Sequence, residues 1–186
     1  MRYFEEDLTE KKKIQALAIS TFIFYVIVLL WITIFKCNIE ASVHGVRIFL
    51  EQMTIKERFI YATSYFAWHD GDIKSTVLNV LVFVPFGILM PIIRSKFTPF
   101  STTILAFFST LAIESLQMIL AFGYFTYVDL ICNTLGAVLG LIVFKLFVEK
   151  LRDKIKNIAL TAANLTAIAI SIFAIIRTII NIEIYI

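Results

Sequence analysis

Five polar side chains lie within strongly apolar segments of this sequence, where they could bind a ligand or transfer a proton. Glu114 and Gln117 occupy one apolar run, Asp129 and Asn133 occupy the next, and Asn79 lies in an earlier run. An acidic group at the centre of a membrane helix costs about 2.5 to 3.5 kcal/mol on insertion scales, so such residues usually face the interior of a helical bundle and serve a function. We therefore expect these five residues, called the polar cluster below, to line one pocket.

Three interpretations of the polar cluster stay open at this stage. Its amides and carboxyl groups could bind a peptide-like or sugar head group through hydrogen bonds. Glu114 and Asp129 could instead act as a general acid and base, although no nucleophile, metal-ligand cluster or phosphate-binding loop accompanies them in the sequence. The polar residues could also do no more than join neighbouring helices. The two carboxyl groups favour a ligand site, because joining helices requires no charge.

The composition indicates a polytopic membrane protein. The chain is 60% hydrophobic and only 17% charged, with a mean hydropathy of +0.88, whereas soluble domains are nearer half apolar and about a quarter charged. Apolar runs of the roughly 20 residues needed to cross a bilayer recur five times in the sequence, at 14–35, 76–93, 101–122, 128–148 and 158–180. We predict an all-α membrane protein with about five transmembrane helices in one bundle. Residues 1–13 form a basic tail before it, and residues 46–68 suit an interfacial helical segment.

The positive charges predict the orientation of the bundle. Ten Lys and Arg residues lie in the tail and in the two short segments 94–100 and 149–157, against five in the long segment 36–75. Short basic segments stay in the cytoplasm. We therefore expect a bacterial plasma-membrane protein with a cytoplasmic N-terminus and an external C-terminus. The polar cluster would then lie within about 12 Å of the outer boundary.

Small and polar residues form one stripe on each of two predicted helices. Positions three or four residues apart share a helix face. In 101–122 this face carries Thr103, Ala106, Thr110, Glu114, Gln117 and Ala121, and in 128–148 it carries Asp129, Asn133, Gly136 and Gly140. A short turn joins the two segments, so we predict that the stripes face each other. In 76–93, Pro85 suits a kink and Gly87 a close helix contact, which are structural roles.

Other classes of function find little support. The net charge is only +3, and the basic residues lie in the segments that flank the apolar runs. This gives no reason to expect a nucleic-acid partner. Cys37 and Cys132 have neither CxxC nor Cys/His spacing, and His69, Asp70 and Asp72 match no metal-site pattern. We predict no metal and no cofactor, and expect membrane lipids as partners.

Several of these residues also form a recognisable pattern. The run NVLVFVPFGILMP begins at Asn79, E-x-x-Q follows at Glu114, and D-x-x-x-N-T-x-G begins at Asp129. Over residues 75–145 this pattern resembles the VanZ-like family of small bacterial membrane proteins. The resemblance implies a polytopic helical domain, placed here at 14–148, with 158–180 as an additional helix. It also implies a link to low-level resistance to glycopeptides such as teicoplanin, and hence a lipid-linked peptidoglycan precursor as a candidate ligand.

The chain departs from that pattern before Asp129. Relatives often carry an Arg in this turn, whereas this chain has Gly-Tyr-Phe-Thr-Tyr at 123–127. The usual polar-aromatic stretch after Arg47 is also absent. If the Arg of relatives binds an anionic group, Arg47 or Arg58 is the candidate to replace it here.

Overall fold

The protein is built from α-helices. A computed structural model describes residues 2–35, 51–64, 73–120, 125–151 and 153–184, and these contain no strand. The helices are α1 (Arg2–Phe35), α2 (Ile55–Ser64), α3 (Ile73–Ile93), α4 (Pro99–Ile119), α5 (Tyr127–Val143) and α6 (Asp153–Ile184). A π-helical turn, Phe144–Val148, extends α5.

Four helices of the described part are long and apolar enough to cross a membrane. The candidate spans are Leu8–Leu30, Thr76–Ile93, Pro99–Ile119 and Tyr127–Val148. They confirm the predicted all-α membrane protein and agree with the second, third and fourth predicted spans to within a few residues, whereas the first span is Leu8–Leu30 instead of 14–35. The α1 helix begins at Arg2, so the residues predicted as a basic tail form its first turns. The fifth predicted span lies within α6, and its crossing of the membrane stays a prediction.

Hydroxyl side chains define where two of these helices begin. Thr98 precedes α4, and its Oγ1 accepts a hydrogen bond from the Ser101 N–H at 3.2 Å. Pro99 occupies the first helical position, where its missing N–H is not needed. Thr126 precedes α5, and its Oγ1 accepts from the Asp129 N–H at 3.2 Å. Each hydroxyl therefore satisfies a backbone donor that the helix itself leaves unpaired.

The helices pack as one bundle with α3 and α5 as the most extensive pair. The α5 helix also packs on α4, and α1 packs on α3 and α6. The main apolar core joins α1, α3, α4 and α5 through Leu29, Phe83, Phe86, Met90, Ala106 and Ala137. A second apolar cluster joins α1, α3 and α6 through Ile14, Ala18, Leu89 and Leu160.

Glycines bring α3 and α5 into close contact. A Cβ atom added to Gly136 would collide with the Val80 carbonyl oxygen, and one added to Gly140 would collide with that of Val84. Gly87 meets the Ala137 carbonyl in the same way. These three positions confirm the expectation of close helix contacts. The prediction that Gly136 and Gly140 face α4 is wrong, because the close approach of α3 takes up that side of α5.

The buried face of α4 also differs slightly from the predicted stripe. Thr102, Ala106, Thr110 and Glu114 are its buried residues, at intervals of four. Thr103 is half-buried instead, and its hydroxyl donates to the Pro99 carbonyl at 2.9 Å. The α3 helix continues through Pro85 and Pro91, and the kink proposed at Pro85 stays a prediction.

Candidate functional site

An amide and a carboxylate join α3 to α5 at one end of the bundle. The Asn79 Nδ2 donates a hydrogen bond to Asp129 Oδ1. Both residues are half-buried. Asp129 lies in the first turn of α5, where the helix dipole stabilises a negative charge.

Thr126 connects the second carboxyl group to this pair. Its backbone N–H donates to Glu114 Oε2 at 3.4 Å, while its Oγ1 accepts from the Asp129 N–H. Glu114 is 96% buried, with 4% of its surface exposed. A single residue before α5 thus contacts both a buried carboxyl group on α4 and the backbone of the half-buried Asp129.

Asn133 and Thr110 form the next layer, about one turn deeper. The Asn133 Nδ2 donates to Thr110 Oγ1 at 2.7 Å, and both side chains are buried. This hydrogen bond joins α4 to α5, so the predicted facing of the two polar stripes is confirmed at this pair. Gln117 is half-buried and follows Glu114 by three residues on the same face of α4.

The cluster lies near the ends of its helices. At 1.5 Å per residue, each of its members is within about 9 Å of the end of its helix. That end is shared by the start of α3, the end of α4 and the start of α5. The structure therefore places Asn79, Glu114, Asp129 and Asn133 in one polar region at one end of the bundle.

Helix α2 contacts α4 at the same end. The Arg58 Nη1 donates to the Ile119 carbonyl at 2.7 Å and contacts the Met118 carbonyl at 3.5 Å. A cation at the C-terminus of a helix satisfies carbonyls that have no partner within the helix. Arg58, one of the two predicted substitutes for the family's Arg, thus binds backbone carbonyls beside the cluster. The other, Arg47, lies outside the described residues.

A reciprocal pair of hydrogen bonds defines the start of α2. Glu57 Oε2 accepts from the Thr54 N–H at 2.7 Å and from its hydroxyl at 2.8 Å, and Thr54 Oγ1 accepts from the Glu57 N–H at 3.3 Å. The backbone hydrogen bond, followed by that of the hydroxyl, lowers the pKa of the Glu57 carboxyl below its usual range.

Sequence reasoning missed Thr126 as a residue of this site and Thr110 as the partner of Asn133. Thr126 with Asp129, like Thr54 with Glu57, fits the pattern of a hydroxyl residue followed three positions later by an acid, which marks helix starts. That pattern could have identified Thr126. The predicted stripes placed Thr110 and Asn133 on facing sides of α4 and α5, but their pairing also depends on how the two helices rotate against each other.

The chemistry available at the site is hydrogen bonding and proton transfer. No group of three His, Cys, Asp or Glu side chains in the described residues could hold a metal ion. Cys132 is a buried free thiol on α5, while Cys37, His69, Asp70 and Asp72 lie outside the described residues. The cluster offers a half-buried carboxylate at Asp129 and half-buried amides at Asn79 and Gln117.

Comparison with known proteins places these residues in a family. The VanZ/LLP1 family profile matches residues 22–148, a range that contains the whole polar cluster. The chain belongs to the VanZ/LLP1 family. This match confirms the resemblance found in the sequence. The matched range ends at residue 148, before α6 begins.

A VanZ/LLP1 relative is similar over most of its length. Protein VanZ from Enterococcus faecium is 27% identical over 132 residues, which cover 70% of this chain and 74% of that protein. No solved structure matches the chain.

Proposed function

We propose that this VanZ/LLP1 membrane protein binds the head group of a lipid in its polar cluster, with a lipid-linked cell-wall precursor as the favoured ligand. One observation carries the proposal: the hydrogen-bonded unit of Asn79, Asp129, Thr126 and Glu114 joins three helices at one end of the bundle, with Glu114 buried and the other three residues half-buried. Packing alone requires no pair of carboxyl groups, and ionisable groups in a membrane bundle usually mark a ligand site.

The depth of the cluster supports a head group as the ligand. The hydrocarbon core of a bilayer is about 30 Å thick, and the cluster lies within about 9 Å of the helix ends. Sugar and peptide head groups present hydroxyl and amide groups, which match the carboxylate of Asp129 and the amides of Asn79 and Gln117.

The distribution of basic residues supports an outward-facing cluster. The end of the bundle opposite the cluster carries the short basic segments, so these would be cytoplasmic. The N-terminus is then inside and the C-terminus outside, and the ligand comes from the outer leaflet. Cell-wall precursors carry their sugar and peptide groups on that side. Binding of such a precursor by this protein would lower the susceptibility of the cell to glycopeptides such as teicoplanin, in line with the resemblance to the VanZ family.

Native mass spectrometry of the detergent-extracted full chain tests this proposal. Wild type should retain a lipid-linked precursor, and Glu114→Gln and Asp129→Asn should lose it. Glu149→Gln is the matched control, because Glu149 is an exposed carboxylate beyond the other end of α5. Identical lipid profiles in all four proteins would contradict head-group binding and assign the cluster to helix packing or to assembly with another membrane protein.

A second candidate function is an intramembrane enzyme that acts on such a lipid. The specific observation in its favour is the connection of two carboxyl groups through Thr126, which could serve as general acid and base. Glu114→Gln separates the two functions when lipid binding and turnover are both measured, since an amide at that position cannot transfer a proton. Retained binding with lost turnover would indicate the enzyme, and lost binding without any turnover in wild type would indicate the binding protein.

A further inference from the structure

The end of the bundle opposite the polar cluster carries a basic corner where α1 meets the turn after α3. The Gln15 Nε2 donates to the Ile93 carbonyl at 2.5 Å, which brings this part of α1 beside the last residue of α3. Arg94 and Lys96 follow in the turn, and both side chains are exposed. Lys12 is also exposed and precedes Gln15 by three residues, so it shares the face of α1 that points to this turn.

Three acidic residues with described side chains, Glu10, Glu149 and Asp153, lie toward this end of the bundle. The turn 94–98 contains no Asp or Glu. Glu10 lies five residues before Gln15, which places it on the far side of α1. On α6, Asp153 is paired with Lys156 at 3.4 Å, and Glu149 follows α5 on the chain. Lys12, Arg94 and Lys96 thus bring three exposed positive charges together at the corner.

Two residues of the basic corner lie between candidate membrane spans, and Lys12 lies in the first part of the span Leu8–Leu30. Arg94 is the first residue after the span Thr76–Ile93, and Lys96 precedes the span Pro99–Ile119. At this level a cationic side chain reaches the phosphate region of the lipids, and basic pockets between membrane helices are suited to anionic head groups.

An apolar ridge leads from the corner along α1 into the membrane. Ile19, Ile23 and Ile27 follow Gln15 at intervals of four residues, so all share one helix face. Their side chains are 41%, 52% and 48% exposed. If the corner binds the phosphate of a lipid, the acyl chain of that lipid can lie along this ridge.

We propose that the corner of Lys12, Arg94 and Lys96 binds the phosphate of an anionic phospholipid, whose acyl chain lies along Ile19, Ile23 and Ile27. The site is separate from the polar cluster and does not depend on the function proposed for it. Anionic phospholipid is favoured because the charges occur at membrane level and continue directly into a lipid-facing apolar ridge.

Titration of the purified full chain with phosphatidylglycerol tests the proposal, with phosphatidylcholine of the same acyl chains for comparison and native mass spectrometry as the readout. Each basic residue near a membrane surface adds a factor of about five in affinity for anionic lipid. We expect Lys96→Gln to weaken phosphatidylglycerol binding about fivefold and Arg94→Gln/Lys96→Gln about twenty-five-fold, with phosphatidylcholine binding unchanged. Higher salt should reduce the difference between the two lipids.

Two variants control for charge and for folding. Lys56→Gln removes one exposed positive charge from α2, at the other end of the bundle, and should leave phosphatidylglycerol binding as in wild type. Arg94→Lys/Lys96→Arg preserves the charge and should bind like wild type. Equal binding of the two lipids by wild type would overturn the proposal, as would an equal effect of Lys96→Gln and Lys56→Gln.

Discussion

At the scale of single residues, Asp129 combines a structural role with one suited to ligand binding. Its backbone N–H donates to Thr126 and its carboxylate accepts from Asn79, while its side chain stays half-buried. A carboxylate can accept about four hydrogen bonds. Asp129 can therefore hold α3 against α5 and still accept hydrogen bonds from a ligand.

A double-mutant cycle measures the coupling between Asn79 and Asp129. Hydrogen bonds between membrane helices contribute about 0.6 kcal/mol on average and up to about 1.7 kcal/mol, so we expect a coupling energy within that range for Asn79→Ala and Asp129→Ala. Reversible unfolding in mixed micelles gives the required free energies. Strictly additive losses would show that the hydrogen bond contributes nothing to the stability of the bundle.

Thr126 gives a second prediction at the residue scale. Thr126→Ala removes the hydroxyl that caps α5 and should cost about 1 kcal/mol of unfolding free energy. Thr126→Ser keeps a hydroxyl at the same position and should recover most of that loss. The same unfolding assay tests both variants, and an Ala variant as stable as the Ser variant would contradict the capping role.

At the scale of elements, the sequence predicts the helices well and their pairing only in part. Long apolar runs locate α3, α4 and α5 to within a few residues, because any segment crossing a bilayer must be long, apolar and internally hydrogen-bonded. Adjacency along the chain suggested that the glycine stripe of α5 faces α4. It faces α3 instead, where Gly136 lies against the backbone of Val80 and Gly140 lies against Val84 and Gly87.

Substitution of the α5 glycines tests that pairing. Gly136→Ala and Gly140→Ala would each place a methyl group against a carbonyl of α3, and overpacking of this kind costs about 1 to 3 kcal/mol. Helix propensity acts in the other direction, since Ala in place of Gly stabilises a helix by about 1 kcal/mol. The overpacking cost is expected to be the larger of the two. The unfolding free energy should therefore fall in both variants.

A lipid-facing position on the same helix provides the control for these glycine variants. Leu135 is 51% exposed, and Leu135→Ala should have a much smaller effect. A gain in stability from either glycine variant would show that α3 and α5 are further apart than described.

The start of α2 makes a prediction about pH. Hydrogen bonds from Thr54 lower the pKa of Glu57 in the folded helix, so the carboxylate stabilises α2 at neutral pH. This stabilisation should be lost as the pH falls through that lowered pKa. A carbon-13 NMR titration of the Glu57 carboxyl should show a midpoint below the usual value, shifted upward in Thr54→Ala. The same midpoint in both proteins would contradict a contribution of the Thr54 hydroxyl.

At the scale of the whole molecule, polar contacts join helices both inside and outside the family region. The polar cluster joins α3, α4 and α5 within the range matched by the VanZ/LLP1 family. Beyond that range, α6 packs on α1, where the Asn164 Nδ2 donates to the Leu17 carbonyl at 3.2 Å and its Oδ1 accepts from the Ser20 hydroxyl at 3.1 Å. Sequence reasoning predicted 158–180 as an additional helix but could not select α1 as its neighbour, because an apolar helix with few polar residues fits several positions.

Substitution of Asn164 tests whether the family region depends on the packing of α6 against α1. Asn164→Ala removes both hydrogen bonds from a buried position, and should lower the unfolding free energy by about 1 to 2 kcal/mol. Thr161→Ala is the matched control, because Thr161 is exposed and its hydroxyl donates only to the Asn157 carbonyl of its own helix. The hydrogen bonds described for the polar cluster join α3, α4 and α5, so lipid retention should be the same in Asn164→Ala as in wild type. A loss of lipid together with stability would show that the docking of α6 helps to hold the ligand site in place, and that the family region of this chain does not function independently of its additional helix.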